Sequence, residues 1–216
     1  MKKNLAVAFT ALSMLAAVVM GCASVPSAAD LDKIASSTIR SSFRDQGIAK
    51  TSRLDQDLGQ QACSSEQPPT AEVAERVRAA ALASVRFPAD GRYLGDWKEG
   101  EKLAQNGRGM TWTDPSPAPA ANGGSCYNCH QIAKAEVSFG TIGPSLYNYG
   151  KLRGVADPAS ASSTAIVQYT WTKLWNSKSY AACSNMPRFG HMGLLDENQL
   201  RDLMALLLDP KSPVNQ

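Results

Sequence analysis

The stretch GGSCYNCHQ, residues 123–131, constrains this chain more than any other feature. It places two residues between Cys126 and Cys129 and puts His130 directly after the second cysteine. The chain has one other histidine, His191. C-x-x-C-H is the attachment signature of c-type haem. On one helical turn, two thiols so spaced add to the two vinyl groups along one porphyrin edge. The imidazole of the next residue then faces the iron. Covalent capture keeps the cofactor in an exported protein. One motif implies one haem c, held by Cys126 and Cys129, with His130 as the proximal iron ligand. Two other chemistries use similar residues. A C-x-x-C redox disulfide opens a helix after a strand in a βαβ pattern, whereas this motif follows the Pro- and Gly-rich loop DPSPAPAANGG. A structural zinc site needs a fourth ligand and usually a second Cys/His pair. Cys183 or His191 is available, at a spacing unlike the common zinc modules.

A sixth ligand is expected well downstream, in CSNMPRFGHMGLLDENQ before the closing helix. Met186 is the expected ligand, because Pro187 stiffens the loop and removes a competing backbone donor. His191 is the alternative, with a surface or partner contact as its plainer role. Met192 is expected to pack, and Met110 and Met204 are weaker candidates. His/Met ligation raises a haem's reduction potential. In GTIGPSL the carbonyl of Pro144 is placed to accept the Nδ1–H of His130, which would orient the ring and raise its basicity; a simple Gly-Pro turn is the plainer reading. Trp171, Trp175 and Tyr147 are read as core first and as walls of a haem pocket second.

The start of the chain reads as an export signal. Lys2 and Lys3 precede the apolar run Leu5–Met20, followed at once by small residues. The run is short for a membrane span, which needs roughly 20 apolar residues. VMGCAS resembles a bacterial lipoprotein signal, in which Cys22 becomes a lipidated first residue; ordinary cleavage after Ala29 is the alternative. Both readings place the mature protein in a bacterial periplasm, the first with a lipid anchor at Cys22. Twenty-two Lys and Arg face 19 Asp and Glu. Without Lys2 and Lys3 the mature chain is near neutral, which gives no case for nucleic acid as partner. Of five cysteines, Cys63 and Cys183 remain outside the signal and the motif, an even pair in a compartment that permits disulfides. Bridging so long a loop would contribute about 3–5 kcal/mol on the loop-entropy account. An intermolecular bridge or a reactive thiol is the alternative.

The remaining pattern is helical. TAEVAERVRAAALASVRFP reads as a helix capped by Thr70, with Val73, Val77, Ala80, Ala81 and Val85 on one face and Pro88 as its stop. A helix from Asp96 precedes the motif, and VSFGTIGPSLYNYGKLRG, with four glycines, reads as a loop. Val167, Trp171, Leu174 and Trp175 share a helical spacing. DENQLRDLMALLLDP closes the chain with a capping box at Asp196 and Gln199 and a buried stripe at Leu200, Leu203, Met204 and Leu207. The expected class is mostly α, divided into a signal over 1–22, an extension over 23–90 and a haem domain over 91–212.

EGEKLAQNGRG, SCYNCH, GTIGPSLYNYG and MPRFGHMGLLDENQLRDLMALLL together resemble class I cytochrome c. More narrowly, GTIGPSL and MPRFG resemble the SoxX subunit of the SoxAX cytochrome of bacterial sulfur oxidation. The resemblance covers about Asp96–Asp209. It implies a class I cytochrome c fold and a heterodimer with a SoxA-like cytochrome that carries the catalytic cysteine. It also implies a complex that oxidatively couples thiosulfate to a cysteine of a SoxYZ-like carrier, an L-cysteine S-thiosulfotransferase. This chain would take the electrons through Cys126, Cys129, His130 and Met186 and pass them to another cytochrome. No substrate-handling residue is implied here. A stand-alone or lipid-anchored cytochrome c feeding a terminal oxidase is the alternative. A haem peroxidase needs an open iron position, which Met186 argues against.

Overall fold

The computed structural model describes residues 25–136 and 138–216. The signal segment and Cys22 lie outside them. Among the described residues the secondary structure is helical, with no pairing of strands beyond one antiparallel bridge between Gln46 and Ala49. The expected mostly α class is therefore found. No described helix is long and apolar enough to cross a membrane.

The chain divides into two compact units, meeting between Arg44 and Asp45. The first contains α1, Ala28–Ser42, whose first turn is capped by the Ser27 hydroxyl accepting from the Asp30 amide. No residue of α1 is buried. The second unit, Asp45–Gln216, contains the rest: α2 Leu58–Cys63, α3 Ala71–Ala83, α4 Trp97–Gln105, α5 Tyr149–Leu152, α6 Thr164–Trp175 and α7 Glu197–Leu208. The boundary expected near residue 90 falls inside this unit. Indole hydrogen bonds and a disulfide join its two parts. The indole N–H of Trp171 donates to the Arg86 carbonyl at 2.8 Å, and that of Trp175 donates to the Ser84 carbonyl at 2.9 Å. Cys63 and Cys183 form a disulfide with Cα atoms 5.4 Å apart.

Local chemistry sets the helix starts. Thr70, Asp96 and Asp196 each cap with a side-chain oxygen, and Asp196 and Gln199 exchange both bonds of a capping box at 2.9 Å. Helix α3 stops at Ala83, short of Pro88: the Ser84 amide makes the last helical bond, to the Ala80 carbonyl at 3.2 Å, and the Val85 amide turns instead to the Leu82 carbonyl at 3.1 Å. Val77 and Ala81 are buried; Ala80, expected beside them, is exposed at the edge of a narrow stripe.

The core lies where α4 crosses α7. Leu200, Met204 and Leu208 of α7 are fully buried, as are Ala104 of α4 and Trp171 of α6. The crossing is backbone against backbone. A Cβ on Gly100 would stand 2.1 Å from the Asp202 carbonyl oxygen. One turn earlier, the Gly95 amide donates to the Arg201 carbonyl at 2.9 Å, and Asp202 Oδ1 accepts from the Asp96 amide at 2.8 Å. Alanine at position 100 would gain about 1 kcal/mol of helix propensity. The clash outweighs that gain, since overpacking a tight contact costs about 1–3 kcal/mol and sometimes more. The Gly100→Ala variant is expected to lose about 1–2 kcal/mol net, read as a lower urea midpoint at unchanged slope.

Candidate functional site

Helix α4 places the motif. Just beyond its end the chain doubles back along it. Gly123, Gly124 and Ser125 donate their amides to the carbonyls of Arg108, Leu103 and Asn106 at 2.8, 2.9 and 3.0 Å. Gly123 passes so close that a Cβ would stand 1.8 Å from the Asn106 oxygen. Ser125 then takes a left-handed conformation, with φ of 51°, and swings the chain into a 3-10 turn over Cys126–Asn128. The amides of Cys129 and His130 both donate to the Cys126 carbonyl, at 3.0 and 2.9 Å.

The following loop is stitched onto this turn. Gly140, Gly143 and Leu146 donate to the carbonyls of Tyr127, Cys129 and Gln131 at 2.9, 2.8 and 2.8 Å. The contact expected at Pro144 is present, with its carbonyl 2.6 Å from His130 Nδ1. A carbonyl can only accept, so Nδ1 carries the proton and Nε2 is left with a lone pair. The imidazole lies against Gly143, where a Cβ would stand 2.1 Å from its Cε1. Sequence reading treated the glycines of GTIGPSL as loop formers only. Their spacing was the available sign that the loop hugs a ring.

The two motif thiols are unpaired, while the other two cysteines are bridged. Burial pushes the Cys126 thiol up to about 12. Among the described residues no three His, Cys, Asp or Glu side chains converge as a metal-binding group. Two unpaired thiols on one turn and an oriented imidazole fit a c-type haem, which Cys126 and Cys129 would hold with His130 toward the iron.

Met186 is half-buried and packs on the same core cluster as Cys126, Tyr127 and Trp175. Its carbonyl accepts from the Ser177 hydroxyl at 2.6 Å, and its amide donates to the Ser184 hydroxyl at 3.3 Å. No feature of the sequence singled out Ser177. His191 is exposed, and partial burial followed by the charge of Arg188 holds its imidazole below the usual histidine range. Met192, expected to pack, is 52% exposed because it follows the turn at Phe189–His191 outward. Met204 belongs to the core, and Met110 sits in a left-handed turn. Trp171 and Trp175 stack with centroids 6.1 Å apart, and the Trp175 ring occupies the space beside Gly190 that a side chain would take. Tyr147 instead reaches the chain end, its hydroxyl donating to the Gln216 carbonyl at 3.0 Å.

No family model matches the chain. An uncharacterized lipoprotein of Aquifex aeolicus (strain VF5) is 34% identical over 168 residues, which are 74% of this chain and 73% of that protein. The chain belongs to the family of that lipoprotein.

The close approach at Gly143 makes a prediction. Gly143→Ala is expected to displace the His130 ring, break its bond to Pro144 and cost about 1–3 kcal/mol. Loss of the hydrogen-bonded Nδ1–H signal of His130 by NMR, with a lower melting temperature, checks it.

Proposed function

We propose that this protein is an exported monohaem c-type cytochrome of the SoxX type, with the class I cytochrome c fold. In this reading it is the electron-transfer subunit of a SoxAX-type complex. The observation that carries the reading is the C-x-x-C-H turn itself. It presents two unpaired, half-buried thiols and an imidazole whose Nδ1–H is held by the Pro144 carbonyl. A haem bound there supplies a reversible one-electron couple at its iron. Cys126 and Cys129 hold its edge. His130 offers Nε2, and Pro144 keeps that lone pair aimed by holding the opposite nitrogen. Met186 offers a thioether from a loop packed on the same core, which favours the reduced state and raises the potential. Its partial burial, against the exposure of His191, supports Met186 as the second ligand.

The partners follow from the resemblance at GTIGPSL and MPRFG. A SoxA-like subunit handles the thiosulfate chemistry, a SoxYZ-like carrier accepts the product, and this chain passes electrons to an acceptor cytochrome. The lipoprotein relative supports lipidation at Cys22 and a periplasmic, membrane-anchored location. It equally favours the second reading, a lipid-anchored cytochrome that carries electrons to a terminal oxidase.

Purification of the haem-staining protein from its host separates the two. A tight one-to-one partner with its own C-x-x-C-H motif is expected; a lone monohaem protein would leave the second reading. The Cys22→Ser variant is expected to leave the membrane fraction. Met186→Ala is expected to lose the far-red thioether-to-ferric-iron absorption band and to lower the potential by tenths of a volt, the scale that axial ligands set. An unchanged potential would remove Met186 from the site.

A further inference from the structure

We propose that residues 57–84 form a clamp that positions Met186, with the Cys63–Cys183 bridge and the Asp57–Arg188 ion pair as its two jaws. The inference rests on Met186 as the iron's second ligand. Met186 sits on an irregular loop between α6 and α7, whose one helical turn is the 3-10 turn Ser177–Ser179. Such loops open locally at low cost unless something ties them. The structure ties this one on both sides of the methionine. Cys183, three residues before it, is bonded to Cys63. Arg188, two residues after it, pairs with Asp57.

Both ties lead to one short helix. Asp57 is the N-cap of α2 and Cys63 is its last residue. The two carboxylate oxygens of Asp57 have separate tasks. Oδ1 accepts from the Gln60 amide at 2.9 Å and starts the helix, while Oδ2 takes the Arg188 guanidinium. The Arg188 side chain is only 12% exposed, so the pair is shielded from salt more than a surface pair. An isolated six-residue helix is unstable. Helix α2 therefore depends on its packing against α3 and on the loop that it holds.

The clamp also has a floor. Lys178 is buried, and its Nζ donates to the Ala182 carbonyl at 2.8 Å, next to the bridged Cys183. Its stem passes under Gly59 of α2, where a Cβ would stand 2.9 Å from Lys178 Cδ. Ser84 closes the far end. Its carbonyl accepts from Trp175, and its hydroxyl accepts from the Asn176 amide group at 2.9 Å. Ser177, next in the chain, then holds the Met186 carbonyl.

The test uses the haem-loaded protein and reads ligation rather than activity. Two variants open one jaw each: Asp57→Asn, and the double variant Cys63→Ala with Cys183→Ala. In each, imidazole is expected to displace the thioether from ferric iron about tenfold faster than in the parent. Amide exchange over 184–192 is expected to accelerate in step. Arg188→Lys keeps a cation opposite Asp57 with the cap of α2 intact and should keep the parent rate. Val214→Ala opens a gap under the C-terminal 3-10 turn, lowers global stability without touching a jaw and should leave the rate unchanged. If the double variant does not fold, Asp57→Asn carries the test alone. Parent-like rates in the folded jaw variants, or an equal acceleration in Val214→Ala, would overturn the clamp. A separate control tests the underlying reading: if Met186→Ala keeps the far-red band, Met186 is not the ligand, whatever the jaw variants do.

Discussion

The crossing of α4 and α7 is the contact on which the rest of the second unit depends. At its centre Gly100 lets one backbone lie on the other, and Gly95 leaves room for the Asp202 carboxylate. From there the position of every motif atom follows in sequence. The end of α4 receives Gly123, Gly124 and Ser125, and their hydrogen bonds fix where Cys126 begins. The turn at Cys126 presents its carbonyls to the loop after it, and that loop supplies the Pro144 oxygen to His130. The imidazole is thus oriented by a chain of main-chain hydrogen bonds that starts at a helix crossing, and no long flexible side chain intervenes.

The proposed second half of the site is built differently. Met186 is not placed by a helix end. It sits on a loop that adds to its own hydrogen bonds a restraint from residues more than a hundred positions earlier. The restraint mixes a covalent bond, an ion pair and the filling of a gap beside glycine. These interactions differ in their response to salt and heat, so no single change of conditions removes them all.

What the sequence disclosed was what local chemistry decides. Caps at Thr70, Asp96 and Asp196 involve residues a turn apart, and the stripe of α7 needs only its own period. Cys126, Cys129 and His130 are legible because their spacing is the chemistry. The C-terminal end of α3 was not legible, since Pro88 offered a plausible stop while the real one involves Ser84, whose carbonyl serves a tryptophan 91 residues away. The joining of residues 45–90 to the rest of the second unit escaped for the same reason. It depends on single bonds from Trp171 and Trp175 to carbonyls, and a carbonyl has no signature in a sequence. Likewise nothing adjacent in the sequence marks Asp57, which starts a helix and pairs with Arg188, 131 residues on.

The order of the four cysteines along the second unit bears on how the protein matures. A chain delivered amino-terminus first presents Cys63, then Cys126 and Cys129, and Cys183 last. The native partner of Cys63 is therefore the final thiol to arrive, 120 residues behind it. Two closer thiols pass by first, and either could form a premature bridge with Cys63. Under the proposed cytochrome reading, correct pairing demands either that the motif thiols be consumed early by cofactor attachment or that such a bridge be reshuffled. Cofactor loading and disulfide formation would then be one ordered process, and a cell failing at the first step would accumulate misbridged chains as well as chains without haem.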